Sequence, residues 1–160
     1  MAGLRVGDSI PDLKLRAAGG RFVGLKDLAA KTALVLFFYP RDASPICTVE
    51  SCAFRDSYQV LKGAGAEVIG ISGDSLSSHE SFSSRHSLPY LLLSDEAGTA
   101  RAAFGIKPFF GIFPRRVTFV ISKGGLVRSV FESQFRGRAH VEDALRALQE
   151  DGNSPAVQSR

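Results

Sequence analysis

Cysteine is scarce in this chain of 160 residues: there are two, Cys47 and Cys52, too few for a disulfide scaffold at this length. Long apolar runs are absent as well. The longest uncharged one, Thr32 to Pro40, falls far short of the roughly 18 residues that a bilayer-crossing helix needs. Basic runs are missing too. The formal charge is +4 and the pI near 9.3, yet the 20 Lys and Arg residues are scattered, with only Arg115-Arg116 adjacent. No basic stretch has interleaved aromatics, which argues against nucleic acid as a partner. Gly19-Gly20 and Gly124-Gly125 are turn glycines, matching neither a dinucleotide fingerprint nor a P-loop. His79, His86 and His140 lack zinc-ligand spacing and read as solvated helix residues. Nothing implies a nucleotide, flavin or metal, and no internal repeat appears.

What is present is an ordinary globular composition, 44% hydrophobic and 22% charged, enough chain to bury a core without staples. Residues 1–150 are expected to form one domain, with a disordered polar tail over 151–160. Asp12 to Arg16 and Arg21 to Val23 form an expected hairpin around Gly19-Gly20. Leu25 to Lys31 reads as a short helix and 33–39 as a buried strand. The next helix has Ser44 as its N-cap and Pro45 at its first position, runs through Thr48 to Lys62, and stops at Gly63-Ala64-Gly65. Strand 67–72, helix 75–86, strand 89–93 and helix 97–104 follow. Strands 117–121 and 126–131 pair about a turn at 123–125, and Ala139 to Gln149 is an amphipathic helix with Val141, Ala144, Leu145 and Leu148 on one face. This alternation predicts an α/β three-layer sandwich with a central mixed sheet.

The two cysteines sit where the strand 33–39 hands over to a helix, beyond a strand's carboxyl end, where open α/β sheets place their working sites. In the first helical turn, Cys47 faces unpaired backbone N–H groups and the positive end of the helix dipole, both of which favour a thiolate. The Ser44 hydroxyl is expected to cap the Cys47 N–H and reach its sulfur. A buried lone cysteine is usually a small core hydrophobe, but Cys52, five residues on, adds a potential resolving thiol. On an intact helix five residues turn by about 500° and rise about 7.5 Å, leaving the side chains roughly 140° apart. That separation is beyond the roughly 7 Å Cα limit of a disulfide. A Cys47–Cys52 bond therefore requires the first helical turns to unwind.

Pro40-x₃-Ser44-x₂-Cys47 resembles the peroxiredoxin motif, in which Thr is usual at the Ser44 position. The segments Cys52 to Tyr58, Ala66 to Asp74 and Leu88 to Glu96 are similar to the peroxiredoxin Q, or bacterioferritin-comigratory protein, subfamily, and the likeness runs from about Gly7 to Gln149. The resemblance implies a thioredoxin-like fold and thiol-dependent reduction of hydrogen peroxide and alkyl hydroperoxides. Cys47 would be the peroxidatic thiolate, Cys52 the resolving thiol, and thioredoxin or a similar dithiol protein the reductant. The family's active-site arginine falls on Arg116, within Pro114-Arg115-Arg116-Val117-Thr118-Phe119-Val120, and Pro40 would shield the sulfur. No cofactor is implied. A resolving cysteine on the same helix removes the need for a partner subunit, so a monomer is expected.

Other functions compete with this reading: a general disulfide oxidoreductase, disfavoured because C-x₂-C is missing, and a redox-switched binding module. Ser at position 44 keeps the hydroxyl but loses the methyl that restricts its rotamer. The Phe-rich segment 106–113 is either a core-packing loop or an apolar wall for bulky hydroperoxides or a reductant. Glu50 is expected on the helix surface, solvated or ion-paired, with Arg55 a poorly spaced partner. No secretory signal or Arg- and Ser-rich transit sequence precedes Gly7-Asp8-Ser9-Ile10-Pro11. A bacterial cytoplasm, or a plastid for a mature chain, would both suit.

Overall fold

A computed structural model describes residues 3–108 and 115–152. Seven strands form one mixed sheet: β1 (Lys14–Arg16), β2 (Phe22–Gly24), β3 (Ala33–Phe38), β4 (Ala66–Ser72), β5 (Leu91–Ser94), β6 (Val117–Ile121) and β7 (Val127–Glu132), in the order β2-β1-β5-β4-β3-β6-β7. β3 and β4 pair in parallel, as do β4 and β5, whereas β6 runs antiparallel to β3 and β7 antiparallel to β6. Strand β3 is thus central and paired on both sides. That is why its sequence is an unbroken apolar run and not an alternating one.

Alternate residues of that run feed two cores. Leu34, Leu36 and Phe38 face one side with Ile69, Ile71, Phe119 and Ile121, covered by α1 (Leu25–Ala29) and α5 (Thr99–Ala103). Val35, Phe37 and Tyr39 face the other with Val68, Leu92 and Val120. There they meet α2 (Pro45–Asp56), α3 (Tyr58–Gly63), α4 (Leu76–His86) and α6 (Gly137–Gly152). The result is the expected three-layer sandwich, and Cys47 belongs to the second core.

The sequence led to one helix from Pro45 to Lys62; the chain instead breaks at Ser57, whose φ of −100° and ψ of 5° separate α2 from α3. Asp56 and Ser57 are poor helix-interior residues, and such side chains favour helix ends. The last helix extends further than expected at both ends, from 137 to 152, so the tail predicted from 151 begins as helix. The remainder of that tail lies outside the described residues.

Glycine at position 70 is required by its neighbours. Phe37, Gly70 and Leu92 lie side by side across β3, β4 and β5, and a methyl group on Gly70 would come within 2.8 Å of both the Phe37 ring and Leu92. The vacancy seats the Phe37 ring, which stacks on Phe54 of α2 at 4.5 Å between centroids and meets Tyr90 edge-on at 5.7 Å. That stack docks α2 on the sheet. Overpacking should therefore outweigh the entropy gained from removing a strand glycine, and Gly70→Ala is expected to cost about 1–3 kcal/mol. Thermal melting checks this; an unchanged or raised Tm would show that the stack can shift freely.

Candidate active site

Strand β3 ends at Phe38, and buried Tyr39 and half-buried Pro40 carry the chain into a turn over 41–44 with Ala43 at φ +63°. This turn is anchored from below. The Tyr39 hydroxyl donates to Asp42 Oδ1 at 2.6 Å, Ser78 Oγ donates to Asp42 Oδ2 at 2.8 Å, and His79 Nδ1 lies 2.8 Å from the same oxygen. The Asp42 backbone N–H donates to Asp74 at 2.7 Å. Burial alone would push the Asp42 carboxyl up, but the hydrogen bonds from His79, Tyr39 and Ser78 outweigh it and hold it below its ordinary range. Asp42, Asp74 and His79 are a metal-ligand type of cluster, yet these atoms already serve hydrogen bonds within the turn. Arg101 braces the turn from the other core, donating to the Tyr39 carbonyl at 2.7 Å. Burial lowers its pKa, an effect partly offset by Asp95, Cys47 and Asp74.

The turn delivers the chain to α2 at Pro45 in its first turn, and Cys47 is fully buried. Arg116, immediately before β6, reaches it: Nη1 donates to Cys47 Sγ at 3.1 Å and to Glu50 Oε1 at 2.8 Å. The guanidinium is clamped by Gln134, whose carbonyl accepts from Nε at 3.2 Å and whose side chain accepts from the Arg116 N–H at 3.0 Å. Burial opposes the Arg116 charge, but Glu50 and Cys47 beside it hold its pKa above the ordinary value. A planar donor fork fixed at its base and aimed at a buried sulfur can stabilise a thiolate and an oxygen anion formed next to it.

Several expectations change here. Ser44 occupies the N-cap backbone position, but its side chain makes no cap; the hydroxyl donates to the Arg41 carbonyl at 3.2 Å instead. Without a second branch at Cβ, serine is free to take the rotamer that serves the tight turn. Glu50 is not on the surface but fully buried, as are His79 and His140. Arg55 pairs with Asp56 and the His86 carbonyl, not with Glu50. The missed signal was helical phase. Cys47, Glu50, Ser51 and Phe54 follow the i, i+3, i+4, i+7 spacing of one buried face, and His140 lies four residues before Ala144 on the apolar face of α6.

Cys52 is partly exposed and carries a free thiol, as does Cys47. It opens into a groove of about 500 Å³ between α2 and α6, lined among others by Val49, Arg55, Arg138, Val141 and Leu145. With α2 helical from 45 to 56, the two thiols stand on different faces, one sealed beside Arg116 and one open to the groove. The Phe-rich segment falls largely on residues outside those described.

The chain is similar to known proteins in both sequence and fold. The AhpC/TSA family pattern matches residues 6–130. Chloroplastic peroxiredoxin Q from Sedum lineare is 44% identical over 89% of this chain and 77% of its own length. The counterpart from Arabidopsis thaliana is 44% identical over 89% of this chain and 66% of its own length. The crystal structure of peroxidoxin BcpB from Mycobacterium tuberculosis superposes with a TM-score of 0.85 at 36% identity, covering 91% of this chain and 97% of that one. A bacterioferritin comigratory protein of Xanthomonas campestris, described for its alkyl peroxide reduction activity, has a TM-score of 0.82 at 31% identity, over 96% of this chain and all of its own. These likenesses in sequence and in fold place the chain in the AhpC/TSA family as a peroxiredoxin of the Q type, a thiol peroxidase.

Proposed function

We propose that Cys47 is the peroxidatic thiolate, Cys52 the resolving thiol, and Arg116 the group that holds the sulfur and the peroxide oxygens. The contact between Arg116 Nη1 and Cys47 Sγ, 3.1 Å inside a buried pocket, carries this reading. Attack by sulfur on one peroxide oxygen pushes negative charge onto the departing oxygen, where a desolvated guanidinium acts strongly. The sulfenic acid then condenses with Cys52, which keeps it off the irreversible rungs of oxidation. Half-buried Pro40 limits water at the sulfur. Ser44 contributes backbone geometry at the helix start, and its hydroxyl serves the turn.

Hydrogen peroxide and alkyl hydroperoxides are the substrates, and thioredoxin or a similar dithiol protein re-reduces the disulfide. The Xanthomonas relative's alkyl peroxide activity supports the second substrate class. One chain contains both thiols on one helix, which supports a monomer; light scattering at micromolar concentration tests that. Chloroplastic relatives and bacterial neighbours support a plastid or a bacterial cytoplasm as the compartment. No helix among the described residues is long and apolar enough to cross a membrane.

The test is the intact mass of reduced protein seconds after one equivalent of hydrogen peroxide. Loss of two hydrogens in the native chain, and gain of one oxygen in Cys52→Ser, are expected. An unchanged mass would return the disulfide oxidoreductase and the switch to contention.

A further inference from the structure

Behind Arg116 lies a second buried group that peroxide chemistry does not obviously need. Glu50 Oε1 takes a hydrogen bond from Arg116, but Oε2 has no hydrogen-bond partner and is sealed from solvent. His140 Nδ1 lies 3.5 Å from it. The bonds of that ring assign its protons. Nε2 lies 2.9 Å from the Ser133 carbonyl, which can only accept, so Nε2 carries hydrogen. Nδ1 lies 2.7 Å from the Thr118 hydroxyl and, in a neutral ring, accepts from it. Burial keeps the ring neutral, pushing His140 down to about 4. Oε2 of Glu50 therefore faces a ring nitrogen that carries no hydrogen and whose lone pair is engaged by Thr118, and it receives no hydrogen bond. A carboxylate oxygen there would be a buried anionic atom without a partner, whereas a neutral carboxylic acid leaves no charge on it to be satisfied.

Charge counting points the same way. Arg116 Nη1 is shared by Cys47 and Glu50. Thiolate and carboxylate together would leave one guanidinium between two anions, a net buried charge; a neutral Glu50 balances the cluster. The groups that face Glu50 are Cys47 on its own helix, Arg116 before β6 and His140 on α6. Glu50 in turn acts electrostatically on Tyr90 before β5, while Asp143 and Glu132 act on His140. Burial outweighs Arg116 and pushes Glu50 up to about 8.

We propose that Glu50 is carried as a neutral acid in the reduced enzyme, lodged against His140, and gives up its proton when α2 unwinds, so that disulfide formation draws no net proton from solvent. This rests on the peroxidase reading of Cys47 and Cys52. From Cys47 thiolate and a hydroperoxide ROOH, an S–O bond forms and the O–O bond breaks, leaving RO⁻, which takes one proton to give ROH. Cys52 then displaces the sulfenic oxygen, which leaves as water with the Cys52 proton, and the S–S bond forms. Two electrons pass from the sulfurs to the peroxide. Thiolate, thiol, ROOH and one proton become disulfide, ROH and water. Unwinding α2 brings Glu50 into water, where it ionises at neutral pH and returns that one proton. Reduction and refolding of α2 recapture it.

The test counts protons with an indicator dye in weakly buffered solution near neutral pH, per disulfide formed from one equivalent of peroxide. Glu50→Gln is the informative variant, because its neutral amide keeps the shape of the acid and the hydrogen bond from Arg116, yet has no proton to lose. The native chain is expected to take up one proton fewer than E50Q per disulfide; equal counts overturn the proposal. Oxidised-minus-reduced infrared spectra of the native protein alone give a second reading, with loss of a protonated-carboxyl band expected. If the counts differ but that band is missing, the proton resides on His140 and the Glu50 assignment fails. Peroxide consumption is followed in parallel. Its absence defeats the peroxidase reading, and the infrared comparison then proceeds on disulfide made with diamide.

Discussion

Arg116→Met is expected to lower the second-order rate constant for peroxide reduction by about 10³-fold, with Cys47 alkylation at neutral pH also slowed. Loss of one preorganised donor at a developing oxyanion typically costs about 10²–10³ in rate, and in the proposed role Arg116 serves both the attacking sulfur and the departing oxygen. Methionine retains the apolar stem, so the pocket stays filled while the donor fork disappears. Arg116→Lys separates charge from geometry. A single ammonium cannot serve Gln134, Glu50 and Cys47 together as the guanidinium does, and a loss of at least about tenfold should remain despite the conserved charge. Stopped-flow competition for peroxide measures both, with circular dichroism confirming the fold. Activity of Arg116→Met within tenfold of the native chain would make the 3.1 Å contact a bystander.

The second large effect is structural. Oxidation should melt α2 and little else. Amides around Val49 to Cys52, protected in the reduced helix, should exchange at least about 100-fold faster in the disulfide form, since local opening then no longer needs to break the helix. Far-UV helical signal should fall by no more than the 12 residues of α2 and the first turn of α6 (Gly137–Gly152) allow. The contact with α6 supplies an internal control. A methyl group on Gly137 would lie 3.1 Å from Glu50 Cα, Cβ and N, so the first turn of α6 packs directly on α2. That turn should lose protection along with α2, while the end of α6 near Leu148, set in the second core, keeps it. Matching exchange profiles for the two redox states would mean that the disulfide forms without unwinding, or not at all.

Much of this was readable in the chain. Apolar runs and turn glycines placed all seven strands to within a few residues, because burial on both sides of β3 and β4 leaves little ambiguity. Cys47 and Arg116, which the fold brings to 3.1 Å, and Cys52 on the same helix could be singled out because a strand–turn–helix junction and short motifs mark them. Glu50, His79 and His140 were misjudged because residue type was weighed above helical phase. A charged or ionisable side chain is usually solvated, but these three lie on faces whose other members are Phe54, Phe82 and Ala144. The partners that make their burial tolerable come from distant stretches of chain: Arg116 is 66 residues from Glu50, and Asp42 is 37 from His79. The Ser44 hydroxyl depended on a local competition between a helix cap and a turn carbonyl, which sequence leaves open.

Val49 stands beside Glu50 on α2 yet is 47% exposed, at the edge of the groove, and the chain contains no tryptophan. Val49→Trp would place a lone indole on α2, the helix that the proposed cycle winds and unwinds. Its emission would follow the redox state of the sulfurs continuously, and the enzyme would become an optical gauge of the peroxide it removes.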